Sequence, residues 1–270
     1  MNVNLKGKAE HTFDAIVVGS GISGGWAAKE LCEKGLRTLV LERGRDVEHI
    51  AGYSTTNAAP WQLSHQNTAS REMLEKQKVQ SRTGYTVRPG HAQYFVNDQE
   101  HPYIEEKRFD WMRGYHKGGR SLTWGKQSYR LSPIDFEANA KEGISIPWPI
   151  GYKDLAPWYD YAERFAGISG SKEGLDILPD GIFQPPMGLT PVELDLKSAV
   201  EKKWGGRKVI PGRAAHLTAP TEEQMKLGRA SCQYRNLCIR GCPFGAYFSS
   251  QSATLRAAEL TSVGTSSPSS

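Results

Sequence analysis

Long apolar runs are missing from this chain. Nowhere in its 270 residues do hydrophobic residues continue for the roughly twenty positions that a membrane-crossing helix requires. The opening segment, MNVNLKGKAEHTFDA, also lacks the apolar centre of a secretion signal, so export would depend on some other component. Cysteine is scarce: there are four, and three of them crowd into residues 232–242. That crowding excludes a disulfide framework, whose cysteines would be spread to staple distant loops. Charge of one sign is nowhere concentrated. The 34 Lys and Arg are interleaved with 29 Asp and Glu, for a net charge of +5, which speaks against a nucleic-acid surface. Internal repeats are absent. The composition, 38% hydrophobic and 23% charged, is that of a globular protein long enough for one large domain or two ordinary ones.

What the sequence does have begins near its N-terminus. FDAIVV (13–18) has the continuous apolar character of a parallel strand buried on both faces. GSGISGG (19–25) follows as a tight glycine turn, WAAKELCEKG (26–35) has helical spacing and stops at Gly35, and RTLVLERG (37–44) is a second strand. Within the turn, Gly19, Gly21 and Gly24 form GxGxxG, with Ser20, Ile22 and Ser23 between them. Gly19 permits the turn, Gly21 admits a pyrophosphate to the backbone, and Gly24 lets the helix pack on its strand. The helix N-terminus supplies unpaired N–H groups for the phosphates. Glu42 closes the second strand, 23 residues after Gly19, where a carboxylate accepts hydrogen bonds from adenosine ribose hydroxyls. The acid argues against a 2′-phosphate, which leaves NAD or FAD. The run Glu42-Arg43-Gly44 resembles flavoprotein sequences and favours FAD. Cys32, in the helix, is a packing residue.

Further along the pattern weakens. SREMLEKQKVQSR (70–82) reads as a surface helix and AQYFV (92–96) as a short strand. Helices are expected over 151–166 and 192–206, and SSQSATLRAAEL (249–260) reads as a helix with a serine N-cap. The tail TSVGTSSPSS is of low complexity and expected to be disordered. An open nucleotide-binding sheet needs five or six parallel strands. Only two convincing ones are legible, so the domain is expected to be incomplete, and the loss of pattern after Leu260 suggests a truncation or frameshift.

A second glycine loop, GGRSLTWG, places Gly118, Gly119, Ser121, Thr123, Trp124 and Gly125 about a hundred residues after the first. With both loops the chain resembles the glucose–methanol–choline (GMC) oxidoreductase family, over most of residues 12–260. The texture WPIGYKDLAPWYDYAERFAG (148–167) resembles the start of that family's substrate domain, and the sugar, gluconate and pyranose branch is the nearest in pattern. The resemblance implies an α/β fold: an incomplete FAD/NAD(P)-binding Rossmann-like domain with an inserted α+β substrate or cap region. The expected parts are an FAD-binding segment over 1–130, a substrate or cap region over 131–227, a cysteine loop and helix returning to the FAD domain over 228–262, and a disordered tail over 263–270. In the family the first loop binds the FAD diphosphate and the second runs along the flavin ring, where glycine backbone brings N–H donors close. Some members of the branch carry S-x-H-W there, in some with the histidine bonded to FAD. Thr123 stands at that position here, so non-covalent FAD is expected.

The implied function is hydride transfer from a CH–OH group of a sugar or sugar acid to FAD, with electrons passing onward to a cytochrome, quinone or oxygen. A small subunit and a cytochrome c subunit are the partners of related dehydrogenases, some of which are exported with a signal-bearing small subunit. Both cytoplasmic and periplasmic locations stay open. Cys232, Cys238 and Cys242 match, as C-x5-C-x3-C-P, a stretch that holds a three-iron iron–sulfur cluster in bacterial FAD-dependent glucose dehydrogenases. There Arg229, Arg235 and Arg240 would offset the cluster's charge. Three other readings stand beside it: buried structural thiols, a Cys232–Cys242 disulfide, and a zinc site with His216, which lacks the usual CxxC. The family's catalytic histidine has no counterpart after residue 250, and no catalytic residue is assigned. Two rival functions remain: a non-catalytic flavin- or cluster-binding fragment, and an NAD-dependent dehydrogenase, in which the second glycine loop would have no role.

Overall fold

The computed structural model describes residues 12–261 and, as backbone, 264–266. Two compact units emerge. The first takes Met1–Trp124, Tyr234–Gly245 and Ser249–Ser270; the second takes Gly125–Gln233 and Ala246–Phe248. The second unit thus contains the segment 131–227, begins before it, runs past it to Gln233 and also takes Ala246–Phe248 from within the segment 228–262.

The first unit is built on β1 (Ala15–Val18), α1 (Ile22–Glu33) and β2 (Thr38–Leu41). β1 and β2 are parallel, with Ala15 opposite Thr38 and Val18 opposite Leu41. Gly35, at φ 82°, takes the left-handed conformation that ends α1 and turns the chain into β2. α1 buries Ala28 and Cys32 against Leu255 and Ala258 of α7 (Leu255–Glu259), with Val40 of β2 packed alongside. Cys32 is therefore a core residue. A third strand, β3 (Gly264–Ser266), joins β2 in parallel, giving the order β1-β2-β3. Part of the tail expected to be disordered is thus strand; residues 262, 263 and 267–270 lie outside the described residues.

The strands are not buried on both faces. Val17 packs at 8% exposure, while Ile16 is 61% and Val18 83% exposed. Two other readings change. SREMLEKQKVQSR is not one helix: it contributes the short helix α2 (Arg71–Lys76), capped by Ser70, whose hydroxyl accepts from the Met73 N–H, and a separate 3₁₀ turn at Gln80–Arg82. AQYFV is not a strand: Ala92–Tyr94 is a 3₁₀ turn, and the apolar character of Tyr94, Phe95 and Val96 reflects burial of all three.

In the second unit α3 (Pro133–Lys141), α4 (Tyr152–Ala166), α5 (Pro191–Lys203) and α6 (Glu222–Lys226) are joined by loops that meet in isolated β-bridges, such as Ser169 with Ala214. α5 starts on a capping box, Thr190 with Glu193, and has proline at its first position. Buried arginines tie the loops down. Arg130 is paired with Glu163 and Asp160. Arg213 binds Asp180 and the Pro179 carbonyl, and Arg229 caps the end of α4 through the Phe165 and Ala166 carbonyls. No helix among the described residues is long and apolar enough to cross a membrane.

Candidate functional site

The two glycine loops meet inside the first unit, and Ser20 joins them. Its buried hydroxyl donates to Glu42 Oε2 at 2.5 Å and accepts the Gly118 N–H at 2.9 Å. The Ser20 backbone N–H also reaches Glu42 Oε2, at 3.1 Å, and the Gly44 N–H reaches Oε1 at 2.8 Å. Glu42 is thus fixed at the end of β2 by three donors. A carboxylate has about four acceptor positions, so Oε1 keeps one for a ligand hydroxyl.

Each glycine has a distinct reason. A Cβ at Gly24 would collide with the Gly19 carbonyl, so this position sets the close approach of α1 to the turn. At Gly21 a Cβ would meet nothing within 4 Å, which leaves its backbone open to a ligand at the start of α1. Gly118 is left-handed at φ 82°, and a Cβ there would strike the Gln251 side-chain amide. Ile22 and Ser23 are exposed on the first turn of α1. Arg43 lies over the Tyr115 ring at 4.0 Å. Beyond Gly118 the loop makes a 3₁₀ turn, Gly119–Leu122. Thr123 is buried and Trp124 half-buried, while Gly125 is exposed and belongs to the second unit.

A third segment completes the site, and its role was not legible in the sequence. Ser249 does cap a helix, as expected, but Ser250–Thr254 winds as a π-helical turn with every residue buried. The Ser250 N–H donates to Ser121 Oγ at 2.9 Å, and Gln251 Nε2 donates to the Lys117 carbonyl at 2.8 Å. The polar run SSQS after an apolar stretch was the only available signal. Thr123 Oγ1, Ser250 Oγ, Gln251 Oε1 and Thr254 Oγ1 are buried without a hydrogen-bond partner. Buried polar atoms are normally satisfied, so this group around two glycine loops is suited to a polar ligand. The residues fit an adenine dinucleotide: open backbone at Gly21 for phosphate and a fixed acid at Glu42 for ribose.

The cysteine stretch does not fit the expectation set for it. Cys238 and Cys242 belong to the first unit and Cys232 to the second. No disulfide joins any of the cysteines, and among the described residues no group of three or more His, Cys, Asp or Glu is arranged to hold a metal ion. The iron–sulfur and zinc readings therefore lack support. The arginines meant to offset cluster charge are spent on nearby loops: Arg240 Nη1 donates to the Ala58 carbonyl at 2.8 Å, and Arg235 Nη2 donates to the Thr56 carbonyl and to Asn57 Oδ1. Gly241, left-handed at φ 86°, brings its backbone against the Tyr53 ring, and its carbonyl accepts from Thr56 Oγ1 at 2.7 Å. Residues 235–241 thus form a packed structural turn.

Residues 17–76 match the model of the NAD(P)-binding Rossmann-like domain. The chain is 26% identical over 258 residues to the fructose dehydrogenase large subunit of Gluconobacter japonicus, covering 92% of this chain and 43% of that protein. It is 26% identical over 241 residues to paromamine 6'-oxidase of Streptomyces fradiae, 88% of this chain and 36% of that one. Against the gluconate 2-dehydrogenase flavoprotein of Pantoea cypripedii it is 30% identical over 172 residues, 58% of this chain and 26% of that one. The chain spans less than half the length of each. A Rossmann-like domain over the N-terminal part, joined to this similarity along most of the chain, makes the protein a homologue of the GMC-type sugar and gluconate oxidoreductases.

Proposed function

We propose that this chain is the FAD-binding portion of an oxidoreductase that acts on a CH–OH group of a sugar, sugar acid or polyol. The observation that carries this reading is the Ser20 bridge, which ties the acid-bearing first glycine loop to the second, beside buried polar atoms that lack partners. FAD, when bound, supplies the hydride acceptor. The Gly21 backbone and the N-terminus of α1 take its diphosphate, and the remaining acceptor position of Glu42 takes a ribose hydroxyl. The turn at Gly119–Leu122 and the polar atoms of Thr123 and Gln251 line the ring end. No residue of this chain is assigned the alcohol proton. Relatives named as a large subunit and as a flavoprotein support assembly with further subunits, of which a small subunit and a cytochrome c are the expected kinds.

Titration of the purified chain with FAD, followed by quenching of flavin fluorescence, tests the reading when NAD is added as competitor. Saturable quenching that NAD does not reverse is expected. Displacement by NAD at comparable concentration would favour the nicotinamide alternative.

A further inference from the structure

Among the side-chain nitrogens of the first unit that are buried with hydrogen-bonding capacity unused, two belong to residues that share Phe95 and Tyr85 as neighbours. The first is Nη1 of Arg120, on the second glycine loop. Its guanidinium lies over the Phe95 ring at 5.0 Å, and Nη2 reaches the Tyr85 hydroxyl at 3.5 Å. The ring face answers part of the charge but offers no acceptor in the plane of the fork. The second atom is Nδ1 of His91, a residue only 4% exposed. The His91 ring meets the same Phe95 edge-on, with centroids 6.3 Å apart. Its Nε2 lies 2.5 Å from the Tyr85 carbonyl, which can only accept, so Nε2 carries the proton and Nδ1 a lone pair. Burial, aided by the charges of Arg240 and Arg88, holds the imidazole below its ordinary pKa and keeps it neutral.

Tyr85 and Phe95 therefore join a cationic fork with a donor to spare and a neutral imidazole with an acceptor to spare. Tyr85, 48% exposed, is where the cluster meets solvent. A guanidinium fork matches a carboxylate, and an imidazole lone pair matches a hydroxyl. We propose that Arg120 and His91 form a recognition site for a hydroxy-carboxylate, Arg120 taking the carboxylate of a sugar acid and His91 Nδ1 an adjacent hydroxyl. The assignment rests on the oxidoreductase reading and, of the sugars, sugar acids and polyols that reading admits, selects the sugar acids.

Calorimetric titration of D-gluconate and D-glucose into the wild-type chain, Arg120→Met and His91→Phe tests it at constant ionic strength. Gluconate should bind the wild type and weaken about tenfold or more in each variant, as expected for loss of a charge-assisted pair. Glucose should bind all three weakly and alike. Arg120→Lys, which keeps the charge and loses the fork, should remain weakened, and it stands in if Arg120→Met does not fold. Gluconate binding that is absent from the wild type, or equal in all the proteins, overturns the site. Flavin absorbance of the same samples separates the two levels. Flavin-free protein with Arg120-dependent gluconate binding would defeat the oxidoreductase reading and leave the site standing. Flavin-bearing protein whose gluconate binding ignores Arg120 would do the reverse.

Discussion

Ser121 accepts the backbone N–H of Ser250 at 2.9 Å while its own hydroxyl donates to the Gly118 carbonyl at 2.6 Å. This hydroxyl fastens the second glycine loop to the π-helical turn across 129 residues of sequence. Both residues are fully buried, so water cannot replace the missing group. Ser121→Ala should lower the free energy of unfolding by about 1–3 kcal/mol, the cost of a buried donor left unsatisfied. Urea denaturation measures it, and an unchanged midpoint would show that the loop is held by other contacts.

Gly21→Ala and Gly24→Ala should behave differently although both alter one motif. The Gly21 Cβ enters open space, so this variant should melt like the wild type and lose affinity for FAD. At Gly24 the Cβ meets the Gly19 carbonyl, so folding itself should suffer. Circular dichroism melting and flavin fluorescence titration, applied to both, separate the effects. A Gly21→Ala protein that binds FAD normally would remove the diphosphate from this turn.

The second unit depends on Arg130 and Glu163, joined by two hydrogen bonds of 2.8 and 2.5 Å, with Glu163 also accepting the Ile182 N–H. Hydrogen bonding to Glu163 first, and then to Asp160, holds the guanidinium pKa above its ordinary value. Glu163→Ala leaves a buried cation short of its main partner and should cost about 3–5 kcal/mol. A loss under 1 kcal/mol in urea denaturation would place the pair in solvent.

Acid should weaken the fold before the carboxylates titrate. His216 is pushed down to about 4, first by burial and then by the Lys126 ammonium. An unfolded histidine titrates near 6.5. Between those values the unfolded chain binds a proton that the folded chain does not, so stability falls as pH drops from about 6.5 towards 4 and then levels. Burial shifts His91 and His116 in the same direction. The Glu105 carboxyl, held at about 2 chiefly by its hydrogen bond to Arg82, loses its contribution further into acid. The urea midpoint should be lower at pH 5 than at pH 7.5, and His216→Gln should shrink that difference. An equal difference in both proteins would exclude His216 as a contributor.

The β1–α1–β2 unit was legible because each of its signals is local: an apolar run, a glycine turn, a helical period ending at Gly35, and an acid at Glu42. The helices over 152–166 and 191–203 were legible for the same reason, since caps such as Thr190 lie beside the residues they serve. What was not legible depends on distant partners. The apolar stretch in 92–96 looked like a strand because burial of Tyr94, Phe95 and Val96 within an irregular loop leaves the same trace. β3 lies in a stretch whose Ser and Gly content carries no strand signal, and its order comes from pairing with β2. The buried arginines could not be foreseen from a chain in which Arg is otherwise a surface residue. The three cysteines suggested ligands through their crowding and their resemblance to a cluster-binding stretch, while Arg235, Arg240 and Gly241 were already committed to packing their loop.

The most direct test of the central claim is the visible absorption spectrum of the purified chain after incubation with FAD and removal of the excess by gel filtration. Retained flavin bands, near one FAD per chain and released intact by acid precipitation, are the expected result for non-covalent binding at the joined glycine loops. A chain that is folded by circular dichroism and emerges colourless would contradict it.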